Sequence, residues 1–394
     1  MTPTKQTICI LGSYSGRNAG DAAILDGLLA DLKPRFPQAR FTVPTFNPGF
    51  LKRNYDPAGL VPVSLKPWHG AIKIFGLPTF RAALQADLIL ITDAILYDLD
   101  FFDPFHNFLS TLQLVLPWAQ RRGIPVAGYN VSLGPVLTVR GERALRRVLK
   151  SCERLILRDR ESAALLRRLV PGAPEPLLGA DCALGVPREQ RDTLRRLRAR
   201  QPFFRSPRPL LGFNVNAYLN VYFKGYGRRF SRQRFVAIAA AALRHAIDRM
   251  GLRVLLIQTV RMDTAITREL EQAVGPRPEL LWVSNRELHH RELAQLFSEA
   301  ELHVGMRTHS LILAAAAGTP ILGLIATPKN RGFLASLGLT GVEFEGLTET
   351  VLIEALEAAW AGRERLRAEL APRVEAEKRR AREAREQLAP LLEK

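Results

Sequence analysis

The densest polar cluster of the sequence opens a predicted helix in its last third, at Gly305-Met306-Arg307-Thr308-His309-Ser310. A predicted strand, Glu301 to Val304, ends just before it, and an apolar helix body, Leu311 to Ala317, follows it. A helix N-terminus favours an anion through its dipole and its amides. The guanidinium of Arg307 can donate two hydrogen bonds to a phosphate or carboxylate, and the imidazole of His309 can accept or release a proton near neutral pH. We therefore expect an anion site with an acid–base group here; the alternative is a capping Thr or Ser with an incidental Arg and His.

Further cations follow neighbouring predicted strands in the same half of the chain. Lys329 and Arg331 lie in Thr327-Pro328-Lys329-Asn330-Arg331, directly after one strand end, and Arg261 follows another. In parallel sheets, ligands bind outside the carboxyl ends of the strands, so these side chains are placed to reach the same crevice. Asp263 either caps a helix or orders a base.

A second cluster follows the first predicted strand, in Tyr14-Ser15-Gly16-Arg17-Asn18-Ala19-Gly20-Asp21. Its two later glycines permit close backbone approach, and Asn18 or Asp21 can cap the helix that begins there. The amides of that helix start form an anion site. A tight capped turn without a ligand is an equal alternative on these residues alone. The glycine spacing fits neither a Walker loop nor the dinucleotide-binding fingerprint.

Other polar groups carry weaker signals. The stretch Tyr129-Asn130-Val131-Ser132-Leu133-Gly134-Pro135 follows a strand and is predicted to be a shaped loop. Asp98-Leu99-Asp100 has the spacing of a metal–diphosphate motif, but so short a pattern recurs by chance. The histidines lack regular metal-binding spacing, so we predict no metal and no cofactor.

Short apolar runs alternate with segments of helical period along the chain, which is typical of parallel sheets covered by helices. A helix is predicted from about Ala19 to Leu32. The predicted strands are Thr7 to Leu11, Arg40 to Val43, Asp87 to Ile91, Pro125 to Gly128, Arg154 to Leu157, Leu210 to Asn214, Val254 to Gln258, Leu280 to Val283, Glu301 to Val304 and Pro320 to Ile325.

With 394 residues, the chain exceeds the usual size of a single hydrophobic core. We predict an N-terminal Rossmann-like domain over 1–186, an arginine-rich and proline-punctuated linker over 187–209, a C-terminal Rossmann-like domain over 210–346, and a charged helical segment over 347–394. Two such halves suggest a cleft between them. The last segment is predicted to be a solvated helical tail with a break at Pro372, or alternatively a membrane-surface or partner-binding helix.

The formal net charge of +18 predicts a surface attractive to phosphates, acidic polymers, nucleic acid or an anionic membrane face. No recognised nucleic-acid module is present, so no nucleic-acid partner is predicted. The three cysteines lack the spacing of a zinc site or a disulfide framework, and the first residues do not resemble a secretory signal, so a cytoplasmic location is the default. The apolar stretch from Leu311 to Ala326 is too short to span a bilayer, and any membrane association is expected to be peripheral.

Taken in order, these segments resemble the polysaccharide pyruvyl transferase family from Ile8 to about Leu339. The family's opening pattern, an aromatic and a glycine followed by Asn-x-Gly-Asp and an apolar helix, is matched by Tyr14, Gly16, Asn18, Gly20, Asp21, Ile24 and Leu25. Its late pattern, Arg-x-His at a helix start and then Gly-x-Pro and a lysine, is matched by Arg307, His309, Gly318, Pro320 and Lys329. Its middle Arg-Asp-x-x-Ser segment is matched by Arg158, Asp159 and Ser162.

The resemblance implies two Rossmann-like domains arranged like a type B glycosyltransferase, and transfer of pyruvate from phosphoenolpyruvate to a sugar as a cyclic ketal. It implies phosphoenolpyruvate as co-substrate and a sugar or oligosaccharide acceptor, free or lipid-linked. The basic charge of the chain would suit a lipid-linked or acidic glycan at the inner face of the membrane.

The same resemblance suggests roles for individual residues. His309, Arg307 and Asp21 are the candidate catalytic residues. The donor-binding candidates are Arg307, Thr308, Ser310, Lys329 and Arg261. The acceptor-binding candidates are Tyr14, Asn18, Asp21, Asp98 and Asn130.

One departure and three alternatives accompany this hypothesis. Family members carry a glycine-rich run where this chain has Thr92 to Asp98. A loop without these glycines loses close backbone approach, so the acceptor or the donor could differ from the family's usual one. The alternatives are a glycosyltransferase that uses a nucleotide sugar, a nucleic-acid-binding protein suggested only by charge, and a catalytically silent relative that binds sugar polymers.

Overall fold

The structure is a computed structural model that describes residues 6–65, 77–93, 95–98, 108–173, 175–187, 192–217, 219 and 230–393. The chain divides into two compact units. The first unit comprises Met1–Gly16, Ile24–Gly185 and Glu377–Lys394, and the second comprises Arg17–Ala23 and Val186–Ala376. Leu99 and Asp100 of the predicted Asp-x-Asp motif lie outside the described residues.

The first unit is built on a seven-stranded parallel sheet in the order β3-β2-β1-β4-β6-β8-β9, with a two-stranded sheet, β5-β7, beside it. Its strands are β1 (Thr7–Leu11), β2 (Arg40–Thr45), β3 (Leu60–Ser64), β4 (Leu88–Ile91), β5 (Leu96–Asp98), β6 (Val126–Val131), β7 (Leu133–Val136), β8 (Arg154–Leu157) and β9 (Leu177–Leu178). Its helices are α1 (Ala19–Arg35), α2 (Pro48–Asn54), α3 (Leu77–Leu84), α4 (Leu109–Arg121), α5 (Val139–Lys150) and α6 (Arg160–Leu169).

Helices α3 to α6 form one layer on this sheet. The strands that they connect advance in the same direction across the sheet, and right-handed crossovers then put the helices on the same face. Their apolar sides, which include Leu112, Leu116 and Leu145, pack on Ile89 and Ile91 in one buried core.

The second unit has a six-stranded parallel sheet in the order β12-β11-β10-β13-β14-β15. Its strands are β10 (Leu210–Asn214), β11 (Arg253–Gln258), β12 (Leu280–Ser284), β13 (Leu302–Gly305), β14 (Ile321–Ile325) and β15 (Gly341–Glu343). Its helices are α7 (Asp192–Arg200), α8 (Arg232–Asp248), α9 (Thr264–Val274), α10 (His290–Ser298), α11 (Thr308–Ala316), α12 (Pro328–Ser336) and α13 (Glu349–Ala361), followed by α14 (Arg363–Glu383), which belongs to both units, and α15 (Ala389–Leu392) of the first.

The predicted fold class is confirmed: both units are α/β with parallel sheets, followed by C-terminal helices. Every strand predicted from an apolar run is present, with ends shifted by at most a few residues. The strands that sequence reasoning missed are β3, β5, β7, β9 and β15. All are short or carry polar residues and proline, so their runs do not stand out from the surrounding loops.

The units differ from the predicted domains in three places. Residues 17–23 belong to the second unit, although they follow the first strand of the first. The predicted linker contains helix α7, whose Thr193 and Leu194 are buried, and it belongs to the second unit. Glu377 to Lys394 return to the first unit.

The predicted C-terminal segment is helical, but the break predicted at Pro372 is wrong. Helix α14 continues through Pro372, and Leu370 and Val374 on either side of it are buried. Burial of this apolar stripe offsets the missing backbone hydrogen bond, a tertiary effect that helix-breaking rules do not include. No helix among the described ranges is long and apolar enough to cross a membrane.

The second sheet contains a buried histidine whose titration should affect stability. His303 lies in β13 with its ring edge-on to Phe297, at a centroid distance of 4.8 Å. Burial lowers the pKa of His303 from 6.5 to about 3. The imidazole of His303 is therefore neutral in the folded state. The stability that this neutral imidazole contributes is complete above pH 6.5 and is lost as the pH falls towards 3.

We expect the unfolding free energy of the wild type to fall by about 2 kcal/mol between pH 7 and pH 5 from this residue alone. In His303→Leu this part of the pH dependence should vanish, as measured by urea unfolding at both values. Phe297→Leu, which alters the same contact but keeps the imidazole, should retain the slope. An unchanged slope in His303→Leu would contradict the assignment.

Candidate functional site

The site begins with the residue that ends the central strand of the second sheet. Asn214, at the end of β10, is buried and donates from Nδ2 to the carbonyl of Ile257 on β11, at 2.7 Å. Its Oδ1 accepts the backbone N–H of Arg307 at 3.0 Å. One amide side chain thus ties the ends of three neighbouring strands and fixes the backbone where α11 begins.

The side chain of Arg307 is held by a buried carboxylate. Its Nε donates to Oδ2 of Asp263 at 2.9 Å, and its terminal nitrogen donates to Oδ1 at 2.5 Å. The Asp263 side chain is fully buried and also accepts the backbone N–H of Ala217, whereas Arg307 stays 14% exposed. This two-point pairing fixes the plane of the guanidinium at the N-terminus of α11. Asp263 makes no capping bond to α9 and acts on the arginine instead.

The segment Arg17–Ala19 is bound along the loop that follows β11. Asn18 forms an antiparallel bridge with Val260, and the N–H of Ala19 donates to the carbonyl of Thr259 at 2.8 Å. The carbonyl of Arg17 accepts the N–H of Arg261 at 3.1 Å and Nδ2 of Asn285 at 2.9 Å. These bonds explain why residues 17–23 belong to the second unit.

Gly20 lies against His309. A Cβ built on Gly20 would stand 2.3 Å from Cγ and 2.4 Å from Cβ of the histidine, which no side chain can tolerate. Asn18 shapes the turn before it: its Oδ1 accepts the N–H of Gly20 at 2.9 Å, and its Nδ2 donates to Asp21 at 2.6 Å. The first turns of α1 and α11 therefore meet, which brings the turn of Asn18 and Asp21 next to the turn of Arg307 and His309.

The other donor-binding candidates differ in exposure. Arg261 is exposed, and its backbone is fixed by Arg17, while Thr308 and Lys329 are half-buried in the first turns of α11 and α12. The hydroxyl of Ser310 is turned inward, where it donates to the carbonyl of Arg307 at 2.8 Å. Ser310 is therefore buried and bonded to the backbone of the helix start, and it is not exposed for a ligand.

Three predicted acceptor-binding residues are buried in the first unit. The ring of Tyr14 lies where a Cβ of Gly12 would be, and its hydroxyl bonds with Thr92. Asp98 accepts from the backbone and hydroxyl of Thr138, and so fixes the start of α5.

Asn130, the third, is 2% exposed, and its Nδ2 donates to the carbonyl of Ala381 at 3.2 Å. Its neighbours do not form the predicted loop, because β6 runs to Val131 and β7 begins at Leu133. Tyr14, Asp98 and Asn130 are thus buried, and each forms a side-chain hydrogen bond within the first unit.

The family's middle segment is also structural. Asp159 caps α6 by accepting the N–H of Ser162 at 2.7 Å. Arg158 is buried and paired with Asp181. Burial alone would lower the pKa of Arg158, but attraction to Asp181, Asp159 and Asp93 raises it above its ordinary value.

Sequence reasoning missed three residues that build the site, namely Asn214, Asn285 and Asn330. Asn330 is fully buried and donates from Nδ2 to the carbonyl of Met306 at 3.0 Å, beside Arg307. Asn214 and Asn285 each follow or end an apolar strand, and that position is the one signal that points to them. Within the described ranges, no group of three or more His, Cys, Asp and Glu side chains is placed to hold a metal.

The fold is that of the type B glycosyltransferase class, to which solved structures similar to this one belong. HepE from Anabaena, in complex with UDP and glucose, matches at a TM-score of 0.61 with 14% identity over 98% of this chain and 99% of its own. UDP-GlcNAc 2-epimerase from Neisseria meningitidis bound to UDP-GlcNAc matches at 0.59 with 11% identity over 94% and 98%. A glycosyltransferase from Rickettsia africae matches at 0.62 with 9% identity over 99% and 98%.

The sequence narrows this class to one family. The family model for polysaccharide pyruvyl transferase matches residues 18–326, from Asn18 just before α1 to Ala326 just after β14. The chain belongs to the polysaccharide pyruvyl transferase family. No curated protein sequence matches it.

The contact between Gly20 and His309 yields a direct prediction. In Gly20→Ala the new methyl group overlaps the stem of the imidazole, which cannot rotate away, so the two helix starts must separate. We expect a loss of about 1–3 kcal/mol in unfolding free energy, and altered chemical shifts of the His309 ring. Gly185→Ala is the matched control, because its Cβ would meet nothing closer than 3.8 Å. Equal stability of the two variants would contradict this packing.

Proposed function

We propose that this chain transfers the pyruvyl group of phosphoenolpyruvate to two hydroxyls of a sugar, forming a cyclic ketal on a cell-surface or extracellular polysaccharide or its lipid-linked precursor. The observation that carries the proposal is the meeting of two family motifs: Gly20 of the first lies against His309 of the second, beside the anchored Arg307. Family membership supports the reaction type.

The donor carries a phosphate and a carboxylate, and the site offers the matching chemistry. Arg307 is a permanent cation whose orientation is set by Asp263, and it stands at the start of α11, where the helix dipole favours negative charge. Lys329 and Arg261 are further cations from neighbouring strand ends. We assign Arg307 to the phosphate or carboxylate, and Lys329 and Arg261 to the remaining negative charge.

The chemistry needs an acid and a base. A proton must reach the methylene carbon of phosphoenolpyruvate, which makes the adjacent carbon cationic and open to attack by a sugar hydroxyl. Phosphate then leaves with its bridging oxygen, and a second hydroxyl closes the ketal. The two hydroxyl protons balance those gained by the methyl group and the phosphate. His309 is assigned the proton transfers, and Asp21, which Asn18 orients, is assigned to the acceptor hydroxyls.

A nucleotide-sugar glycosyltransferase is the competing function, since HepE was solved with UDP and glucose on the same fold. At 14% identity that likeness concerns the fold alone. The two functions differ in the donor that binds, which can be measured without knowing the acceptor.

We expect calorimetric titration to detect phosphoenolpyruvate binding to the wild type, and about a 10- to 100-fold weaker affinity in Arg307→Ala, because a charge-assisted pair is lost. Arg307→Lys should retain only part of the affinity for phosphoenolpyruvate, because the lysine ammonium lacks the planar two-point geometry of the guanidinium. Arg268→Ala removes an exposed arginine of α9 and serves as the control. Tight binding of UDP without phosphoenolpyruvate binding would support the glycosyltransferase instead.

Turnover tests the role of His309. With phosphoenolpyruvate and a glycan acceptor, His309→Ala should lower kcat by about 10²- to 10⁴-fold, the usual contribution of general acid–base catalysis, with little change in phosphoenolpyruvate affinity. Phosphate release and a glycan mass gain of one pyruvate less one water measure the reaction. His245→Gln, on α8, should behave as wild type. A near-normal rate for His309→Ala would refute the assignment.

A further inference from the structure

The outer side of helix α4 exposes large apolar side chains that have no role in the core. Leu114 is 60% exposed and Trp118 is 51% exposed, and they lie one helical turn apart on the same side of the helix. The guanidinium of Arg121 stands over the Trp118 ring at 5.7 Å from its centroid. The opposite side of the helix, with Leu112 and Leu116, is fully buried.

Helix α5 packs beside α4 in the same layer and continues this surface. Its start exposes Leu137 and Val139, the latter 66% exposed. Its outer side then presents a row of exposed basic residues, Arg140, Arg143, Arg146, Arg147 and Lys150. We call the exposed sides of α4 and α5, from Leu109 to Lys150, the α4–α5 surface.

The α4–α5 surface is strongly positive. Between Leu109 and Lys150 there are seven arginines and lysines, all exposed, and a single acidic residue, Glu142. Seven positive charges and one negative charge leave a net of +6. Glu142, the one acidic residue of this range, pairs with Arg146 at 3.1 Å. The partner that complements the surface is therefore strongly anionic.

The apolar residues decide which anionic partner fits. A nucleic acid or an acidic polysaccharide in solution gains little from exposed Leu114 and Val139. An anionic bilayer accepts both features at once, because aliphatic side chains enter the acyl boundary, tryptophan prefers the interface, and arginines meet the headgroup phosphates. We propose that the α4–α5 surface docks the protein on the surface of an anionic phospholipid membrane.

Co-sedimentation with vesicles tests this on the full chain. We expect binding to vesicles of phosphatidylcholine mixed with phosphatidylglycerol, little binding to phosphatidylcholine alone, and weakening by salt. Arg143→Gln with Arg147→Gln should lower the partition coefficient about 30-fold, from about 1 kcal/mol for each arginine near the surface. Arg195→Gln with Arg200→Gln, on the exposed side of α7, is the charge-matched control and should bind as wild type.

The apolar half of the proposal has its own test. Leu114→Ser with Trp118→Ser should reduce binding to the mixed vesicles at least tenfold at unchanged charge. The vesicle-induced blue shift of tryptophan fluorescence should be lost in Trp118→Phe, which retains binding. Absence of binding to the mixed vesicles, or an equal loss in the α7 control, overturns the proposal. Binding that needs the arginines but not Leu114 and Trp118, and that an oligonucleotide competes away, identifies a nucleic-acid surface instead.

Discussion

The site depends on the backbone pairing of Arg17–Ala19 with Thr259–Arg261. Four main-chain groups form two hydrogen bonds there, and the side chain of Asn285 adds a third. Because backbone groups carry the pairing, it needs no particular side chain at Arg17, Val260 or Arg261. It places the start of α1 within van der Waals distance of α11. At this distance only a residue without a Cβ, such as Gly20, fits against His309.

The ion pair between Asp263 and Arg307 is the second constraint, and it fixes the position of the arginine side chain. A buried carboxylate without its partner costs several kcal/mol, so the arginine cannot leave this position without destabilising the fold. A substrate anion consequently meets a cation that is already oriented, and loses less entropy in ordering it. The backbone N–H of Ala217 adds to this preorganisation by holding the carboxylate from the other side.

The family motifs of this chain include residues of two physical kinds. Asn18, Gly20, Arg307 and His309 lie together at the starts of α1 and α11, whereas the polar side-chain atoms of Tyr14 and Asp159 form hydrogen bonds inside the first unit. Polar residues after strand ends look alike in a sequence, because a helix start needs a capping group whether or not a ligand binds there. The glycine-poor stretch after β4 shows the same behaviour. Asp98 accepts from Thr138, the residue that caps α5, and the short strand β5 pairs with β7.

The sequence by itself determined the elements whose signals are local: the apolar runs that became the main strands, the helix starts at Ala19 and Thr308, and the alternation that defines two α/β units. It also supplied Arg307 and His309, since their position at a strand end and a helix start is readable from neighbours along the chain. Tertiary structure alone decided that Gly20 meets His309, that Asp263 pairs with Arg307 rather than capping α9, and that α14 runs through Pro372. Each of these outcomes depends on which distant segments the sheet order brings together and on what becomes buried, and neither periodicity nor propensity contains that information.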